Sequence, residues 1–320
     1  MKKIFLTYTL MVLSLSILSG QRSSISTMHM LNPYQNVQAY GGFDRSLSST
    51  MMYRSQWAPI ASNPRYLHFN VHLPVYFLNG GAGVILEQES LGVESNSTAK
   101  LSYNIVFSGS FGLISGGISA GITQKSLFSD DIITPTGEYG PGVINHNDPI
   151  FGNGQSSAFR PTYGLSAVWK LNNLTTGIQI DDFFAPAFQF DGVRYDGRAI
   201  TSLIADYQYQ LTDEITLQPS ALVLTNLNLW QFHVGVLCNY GNIFGGINMR
   251  GFSQNTIESV GILTGIRFNK HYTIAYSYDL GVSALKNSSE GSHELVLKYN
   301  LNKIINTGLP PRIIYNPRDL

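Results

Sequence analysis

The chain has 320 residues, enough for one large barrel or two ordinary domains. Charged residues are only 12%, about half the usual globular share, while aromatics also reach 12%, with 18 Tyr and 17 Phe. Lys+Arg and Asp+Glu both total 20, which excludes the basic excess of a nucleic-acid binder, and the single cysteine, Cys238, excludes an internal disulfide framework. That lone thiol reads as a lipid-facing packing residue on a strand.

The chain opens like a secretory signal: Lys2 and Lys3, an apolar core from Ile4 to Leu18, then the small pair Ser19-Gly20. Residues 1–20 are therefore expected to be a signal peptide. After residue 21 no apolar run approaches the roughly 18 residues of a membrane helix. Residues 21–44, punctuated by Asn32-Pro33 and Gly41-Gly42, keep no period and are expected as an irregular periplasmic or lumenal segment.

Alternation then sets in, and about fourteen segments of roughly 10 residues follow, an even number in the range of bacterial barrels. The first, near 45–57, ends in Tyr53-Arg54-Ser55-Gln56-Trp57. The second, 66–77, sets Leu67, Phe69, Val71 and Leu73 against His68, Asn70 and His72. Segments at 80–90, 97–108 and 110–122 come next, then the longest irregular stretch, 123–156. Further strands are expected at 157–171, 174–183, 198–211, 214–225, 229–239, 242–252 and 256–268, with a second long loop at 184–197. In the closing hairpin Tyr272, Ile274, Tyr276 and Tyr278 share one face, and Leu295, Leu297, Tyr299 and Leu301 alternate with Glu294, Val296, Lys298 and Asn300. Side chains in a strand point to opposite faces with period two, so each strand has one greasy and one polar face.

Loop length tests this count. If the N-terminus is periplasmic, connections after even-numbered strands face the periplasm and are short. Leu78-Gly80, Ser108-Ser110, Asn172-Asn173, Thr212-Asp213, Tyr240-Gly241 and Asn269-Lys270 are all short. The stretches 123–156, 184–197 and 283–292 all follow odd-numbered strands. Trp57 and Trp230 are expected at the outer rim and Trp169 near the inner one, as aromatic girdles. A membrane protein without spanning helices must close its sheet, because lipid offers no partner to an open edge. The expectation is an all-β, antiparallel up-and-down transmembrane barrel over 45–302 in a bacterial outer membrane, with a periplasmic tail at 303–320. The rival, a soluble β-sandwich, would need more charge on its outward faces.

Four stretches resemble the PorP/SprF family of type IX secretion system outer-membrane proteins of the Bacteroidetes. They are Asn32-Pro33, Tyr53-Arg54-Ser55-Gln56-Trp57, Tyr276-Ser277-Tyr278-Asp279 and Gly291-Ser292-His293-Glu294. Their order and spacing fit over nearly the whole chain after the signal. The segment after Asn32-Pro33 departs from the family's compact small-residue motif. The resemblance implies a non-enzymatic partner in export or surface retention of large adhesins, often linked to gliding, with contacts to periplasmic components. The alternative is a passive channel for small solutes.

No cofactor or metal site is expected. His68 and His72 share the lumen face roughly 13 Å apart, too far for one ion. Gly80-Gly81-Ala82-Gly83 enters a strand, not a helix, so it cannot cradle phosphate. Ser292 and His293 point to opposite faces and cannot act as nucleophile and base. The Asn-rich loop Asp130–Asp148 lacks EF-hand spacing. Arg54, Gln56, His68, His72, Asp279 and Glu294 are the candidate lumen or partner-contact residues. The first strand should neighbour the last, which brings Arg54 to Glu294. In the tail, Pro310, Pro311, Arg312 and Arg318 are candidate periplasmic docking residues, because prolines hold the chain extended with its backbone free.

Overall fold

The computed structural model describes residues 26–305 except 135, 141–142, 148–153, 185, 191–192, 253–255 and 283–288. The signal segment 1–20 and the tail residues Pro310, Pro311, Arg312 and Arg318 lie outside the described residues. The protein is a closed antiparallel barrel of 14 strands. In chain order they are β1 (Ser48–Ser55), β2 (Arg65–Val75), β3 (Gly80–Leu91), β4 (Glu94–Gly109), β5 (Gly112–Phe128), β6 (Gln155–Leu171) and β7 (Leu174–Asp181). Then come β8 (Ile200–Tyr207, resumed at Tyr209–Gln210), β9 (Ile215–Thr225), β10 (Trp230–Tyr240), β11 (Ile243–Phe252), β12 (Thr256–Phe268), β13 (Tyr272–Gly281) and β14 (Ser292–Asn300). Each strand pairs with its neighbours in sequence, and β1 pairs with β14 from Ser48↔Asn300 to Ser55↔His293, which removes the last open edge.

The alternation sorts the side chains. Met51, Tyr53, Leu101, Phe107, Ile118, Leu165, Trp169, Ile262, Tyr276 and Leu297 face outward, while Asn70, Asn104, Ser115, Gln179, Ser277 and Glu294 are buried inside. Cys238 is exposed on the outer wall. Trp169 donates its indole N–H to the Phe111 carbonyl at 2.9 Å, at the short-turn end of β5 and β6. Between β11 and β12 the register shifts at Arg250/Gly251, so Glu258 and Ser259 both turn inward. A bulge is the ordinary device for re-aiming one side chain.

One expectation needs correction. The stretch 123–156 is not irregular throughout, because β5 runs on to Phe128 and β6 begins at Gln155. At 16 or 17 residues, β4, β5 and β6 exceed the roughly 9–11 needed to cross a bilayer, so their outer ends project beyond it. There the outward face meets water, and Thr123-Gln124-Lys125-Ser126 no longer needs an apolar side. Two short hairpins sit in the outer loops, Glu138–Gly140 with Val143–Asn145 and Phe188–Phe190 with Val193–Tyr195.

Candidate functional site

The lumen is filled by the chain's own N-terminal segment. Residues 26–44 enter it as two 3-10 turns, His29–Leu31 and Gln38–Tyr40, around one turn of helix, Pro33–Asn36. Asn32-Pro33 starts that helical turn with proline at a first-turn position, where its missing N–H costs nothing. Met28, Tyr34, Val37, Ala39 and Gln38 have essentially no exposed surface.

Apolar side chains supply much of the grip. Met28, Met30 and Leu31 join Met52, Leu237, Phe244, Leu263, Ala275 and Val296 from the wall. Val37 and Ala39 join Val168, Ile204, Leu222 and Leu224. Wall glycines make room: a methyl group on Gly81 would lie 2.3 Å from the Gly41 carbonyl oxygen, and one on Gly83 2.2 Å from the Tyr34 hydroxyl. A plug that packs this closely leaves space only for glycine at those points.

The outer end of the plug is latched by charge. Arg54 is fully buried, with Nη2 2.6 Å from Asp279 Oδ2 and Nη1 2.9 Å from Glu294 Oε2. The same carboxylates hold the plug. Glu294 accepts hydrogen bonds from Ser26 Oγ (2.5 Å) and the Thr27 and Met28 N–H groups (2.8 and 3.2 Å). Thr27 Oγ1 donates to Asp279 Oδ2 at 2.7 Å and accepts from Arg54 Nη1 at 2.9 Å. Next to it Arg250 makes a two-pronged contact with Glu258, both bonds at 3.0 Å, and Gln56 Nε2 donates to Glu258 at 3.4 Å. The bulge at Arg250/Gly251 is what presents Glu258 to this pair.

The inner end is fixed mostly by neutral groups, with the Asp44 carboxylate at the turn into β1. The Gln38 N–H donates to Gln179 Oε1 (3.1 Å), Asn104 Nδ2 to the Gly41 carbonyl (3.1 Å) and the Gly42 N–H to His72 Nδ1 (3.2 Å). Ser48 donates to Asp44 at 2.6 Å where the plug turns into β1. Along the middle, Tyr34 and Ser102 share a 2.6 Å bond, and burial pushes the Tyr34 hydroxyl up to about 12. His29 Nε2 lies 3.1 Å from Ser220 Oγ, and burial pushes its imidazole down to about 4.

Of the residues singled out from sequence, the structure brings Arg54, Asp279 and Glu294 into one cluster, with Gln56 beside it through Glu258. His68 and His72 sit apart. His68 Nδ1 is 3.2 Å from Glu87, which Lys100 faces at 3.8 Å, and His72 meets the plug backbone. Ser292 Oγ accepts from the Trp57 N–H inside, and His293 Nδ1 is 2.6 Å from the Tyr276 hydroxyl outside. Asp130 accepts the Gly154 N–H at 2.7 Å. Sequence reasoning missed the plug side of the site: Ser26, Thr27, Tyr34 and Gln38. A signal was present. The inward faces carry Leu237, Leu263, Val296 and Leu222, which a water-filled lumen has no use for.

A family model described as "Type IX secretion system membrane protein PorP/SprF" matches residues 19–299. The chain belongs to the PorP/SprF family. It is an outer-membrane barrel and a membrane component of the type IX secretion system. Comparison with curated proteins finds no match. Among solved structures, the chain is similar to the Acinetobacter baumannii outer membrane protein Omp33, at 8% identity over 80% of this chain and 97% of that one, TM-score 0.48. It is also similar to the CymD monoaromatic hydrocarbon channel, at 10% identity over 89% of this chain and 96% of that one, TM-score 0.49. In this PorP/SprF barrel, the site consists of the segment seated in the lumen and the buried ions that seat it.

Proposed function

We propose that this PorP/SprF protein is a non-enzymatic, plugged outer-membrane partner for large cargo, assisting its export or its attachment at the cell surface. The observation that carries this reading is the plug. Residues 26–44 contact wall residues from β1 and β2 round to β13 and β14, so the resting lumen is protein, not an aqueous path. That weighs against the passive-channel reading and moves the working surfaces to the two ends of the barrel. Outside, the β4–β6 extension holds residues of the short hairpin Phe188–Phe190 with Val193–Tyr195. Arg160 donates to the Pro186 carbonyl at 3.2 Å and lies 4.6 Å over the Phe188 ring, while Lys125 lies 4.6 Å over Tyr195. Inside the periplasm, the tail with Pro310, Pro311, Arg312 and Arg318 belongs to the same reading as a contact for secretion components.

Affinity purification of tagged protein from solubilised outer membranes, after crosslinking in cells, tests the proposal. Recovery of a large surface protein or of type IX components is expected. A partner-free barrel that conducts ions in a planar bilayer would overturn it in favour of the channel.

A further inference from the structure

The chain does not let go of the wall at the last pair of β1 and β14, Ser48↔Asn300. Residues 301–305 run on as a strap beside residues 45–47, the linker that joins the plug to β1. Three backbone N–H groups of the strap bind that linker. Leu301 donates to the Leu47 carbonyl at 2.9 Å, Lys303 to Ser46 Oγ at 3.3 Å and Ile305 to the Arg45 carbonyl at 3.1 Å. Asn300 sets the path of the strap. Its Nδ2 donates to Ser48 Oγ at 2.7 Å, and its Oδ1 accepts the Asn302 N–H at 2.6 Å. Asn302 then takes a left-handed turn, φ 48°, a region that Asn tolerates better than most residues.

The linker is where the plug is tethered. Because that tether lies at the foot of β1, the plug cannot clear the barrel on the outer side. It can withdraw only toward the periplasm, and residues 45–47 are the hinge on which it must swing. Several contacts hold this hinge. Arg45 sits at φ 53°, where an arginine is disfavoured. Such a backbone persists only where its surroundings fix it. Here the Arg45 N–H donates to the Gly42 carbonyl at 2.9 Å, and the Arg45 carbonyl is the one that Ile305 meets. The same end of the chain also grips the plug itself. Lys298 Nζ faces Asp44 at 3.9 Å and donates to the Leu31 carbonyl at 3.4 Å. Residues 298–305 thus touch the plug, its linker and the start of β1 in one continuous run.

We propose that residues 301–305 are a clasp. Seated on the linker, they keep the plug in; lifted from it, they free the hinge and the lumen opens to the periplasm. The chain passes directly from the clasp into residues 306–320, so whatever holds that tail pulls on the clasp. This last step rests on reading the protein as a secretion partner with periplasmic contacts; the clasp itself does not.

The test compares ion conductance of the full-length protein and its variants in planar bilayers. Asn302→Pro fixes φ near −65° and removes the N–H that Asn300 accepts, which lifts the strap. Asn302→Gly keeps the left-handed turn. Openings should be about tenfold more frequent in Asn302→Pro than in the wild type, while Asn302→Gly stays closed. Truncation after Asn300 should open the barrel as the proline does, and truncation after Ile305 should leave it closed. Heat-modifiable migration on gels checks that each variant is a folded barrel, and the two truncations decide the matter should the proline variant not fold. A folded proline variant that stays closed would overturn the clasp, as would equal opening in the glycine variant or in the chain cut after Ile305. Cargo export in cells carrying the same variants separates the two steps. Open variants with unchanged export keep the clasp and count against the secretion reading. Closed variants with impaired export overturn the clasp and leave that reading standing.

Discussion

The two flanks of the plug are held in different ways. At the outer end, Ser26 to Met28 meet a buried arginine and two carboxylates, with five hydrogen bonds into Asp279 and Glu294 from the plug and Arg54 Nη1 alone. Against β9–β11, the plug packs on Leu222, Leu224, Leu237 and Phe244. His29 Nδ1 on the plug, and His233, Asn248 Nδ2 and Gln231 Oε1 on the wall, find no direct partner among the described residues. Buried polar groups left without protein partners are costly, so on that flank apolar packing supplies the binding. The difference teaches how the plug is held: by ions at the latch and by apolar contact along this flank. Such a segment can be moved by breaking one end.

The largest expected effect is therefore Arg54→Ala. It strands two buried carboxylates, and removing one partner of a buried pair costs about 3–5 kcal/mol. The seated plug should be lost, read as new ion conductance in planar bilayers and as a lower unfolding temperature. Should Arg54→Ala stay closed, the latch is not what holds the plug. Next comes Gly81→Val, which drives a side chain into the Gly41 carbonyl at the inner anchor. A cost of about 1–3 kcal/mol is expected for overpacking, with partial conductance and increased protease sensitivity of residues 26–44. A smaller effect belongs to pH. His29 stays neutral down to about 4 when seated but protonates near 6.5 when released, so the released state binds more protons between those values. The seated state should weaken as pH falls from 6.5 to about 4 and level off below, and His29→Asn should flatten the profile. Smallest is Ser220→Ala, which removes one neutral bond to His29 on the apolar flank and should cost at most about 1 kcal/mol. An effect as large as that of Arg54→Ala would erase the contrast between the flanks.

The barrel was legible because lipid imposes a strict period. Leu67, Phe69 and Val71 must alternate with His68 and Asn70 wherever one face meets acyl chains and the other the interior. The neighbouring of β1 and β14 followed from closure alone, which put Arg54 near Glu294 without any motif. Legibility failed where those constraints stop. Above the membrane, Gln124 to Leu127 carry no apolar period, so the end of β5 read as loop. The plug has no period either, because its conformation is set by wall residues more than 200 positions away, such as Glu294 and Asp279 against Ser26 and Thr27. Its imprint lay in the wall, in glycines and aliphatic residues on a face where a channel would place polar ones.

The latch also has a bearing on assembly. Arg54 reaches Glu294 across 240 positions, and Ser26 reaches the same carboxylate across 268. Contacts so distant in sequence are the last to form, because the intervening chain must first be ordered. Yet the β1–β14 seam runs through that same point, pairing Arg54 with Glu294 in register. Closing the seam and seating the N-terminal segment therefore draw on the same carboxylate: the staple that joins the cylinder is also the peg that holds its stopper.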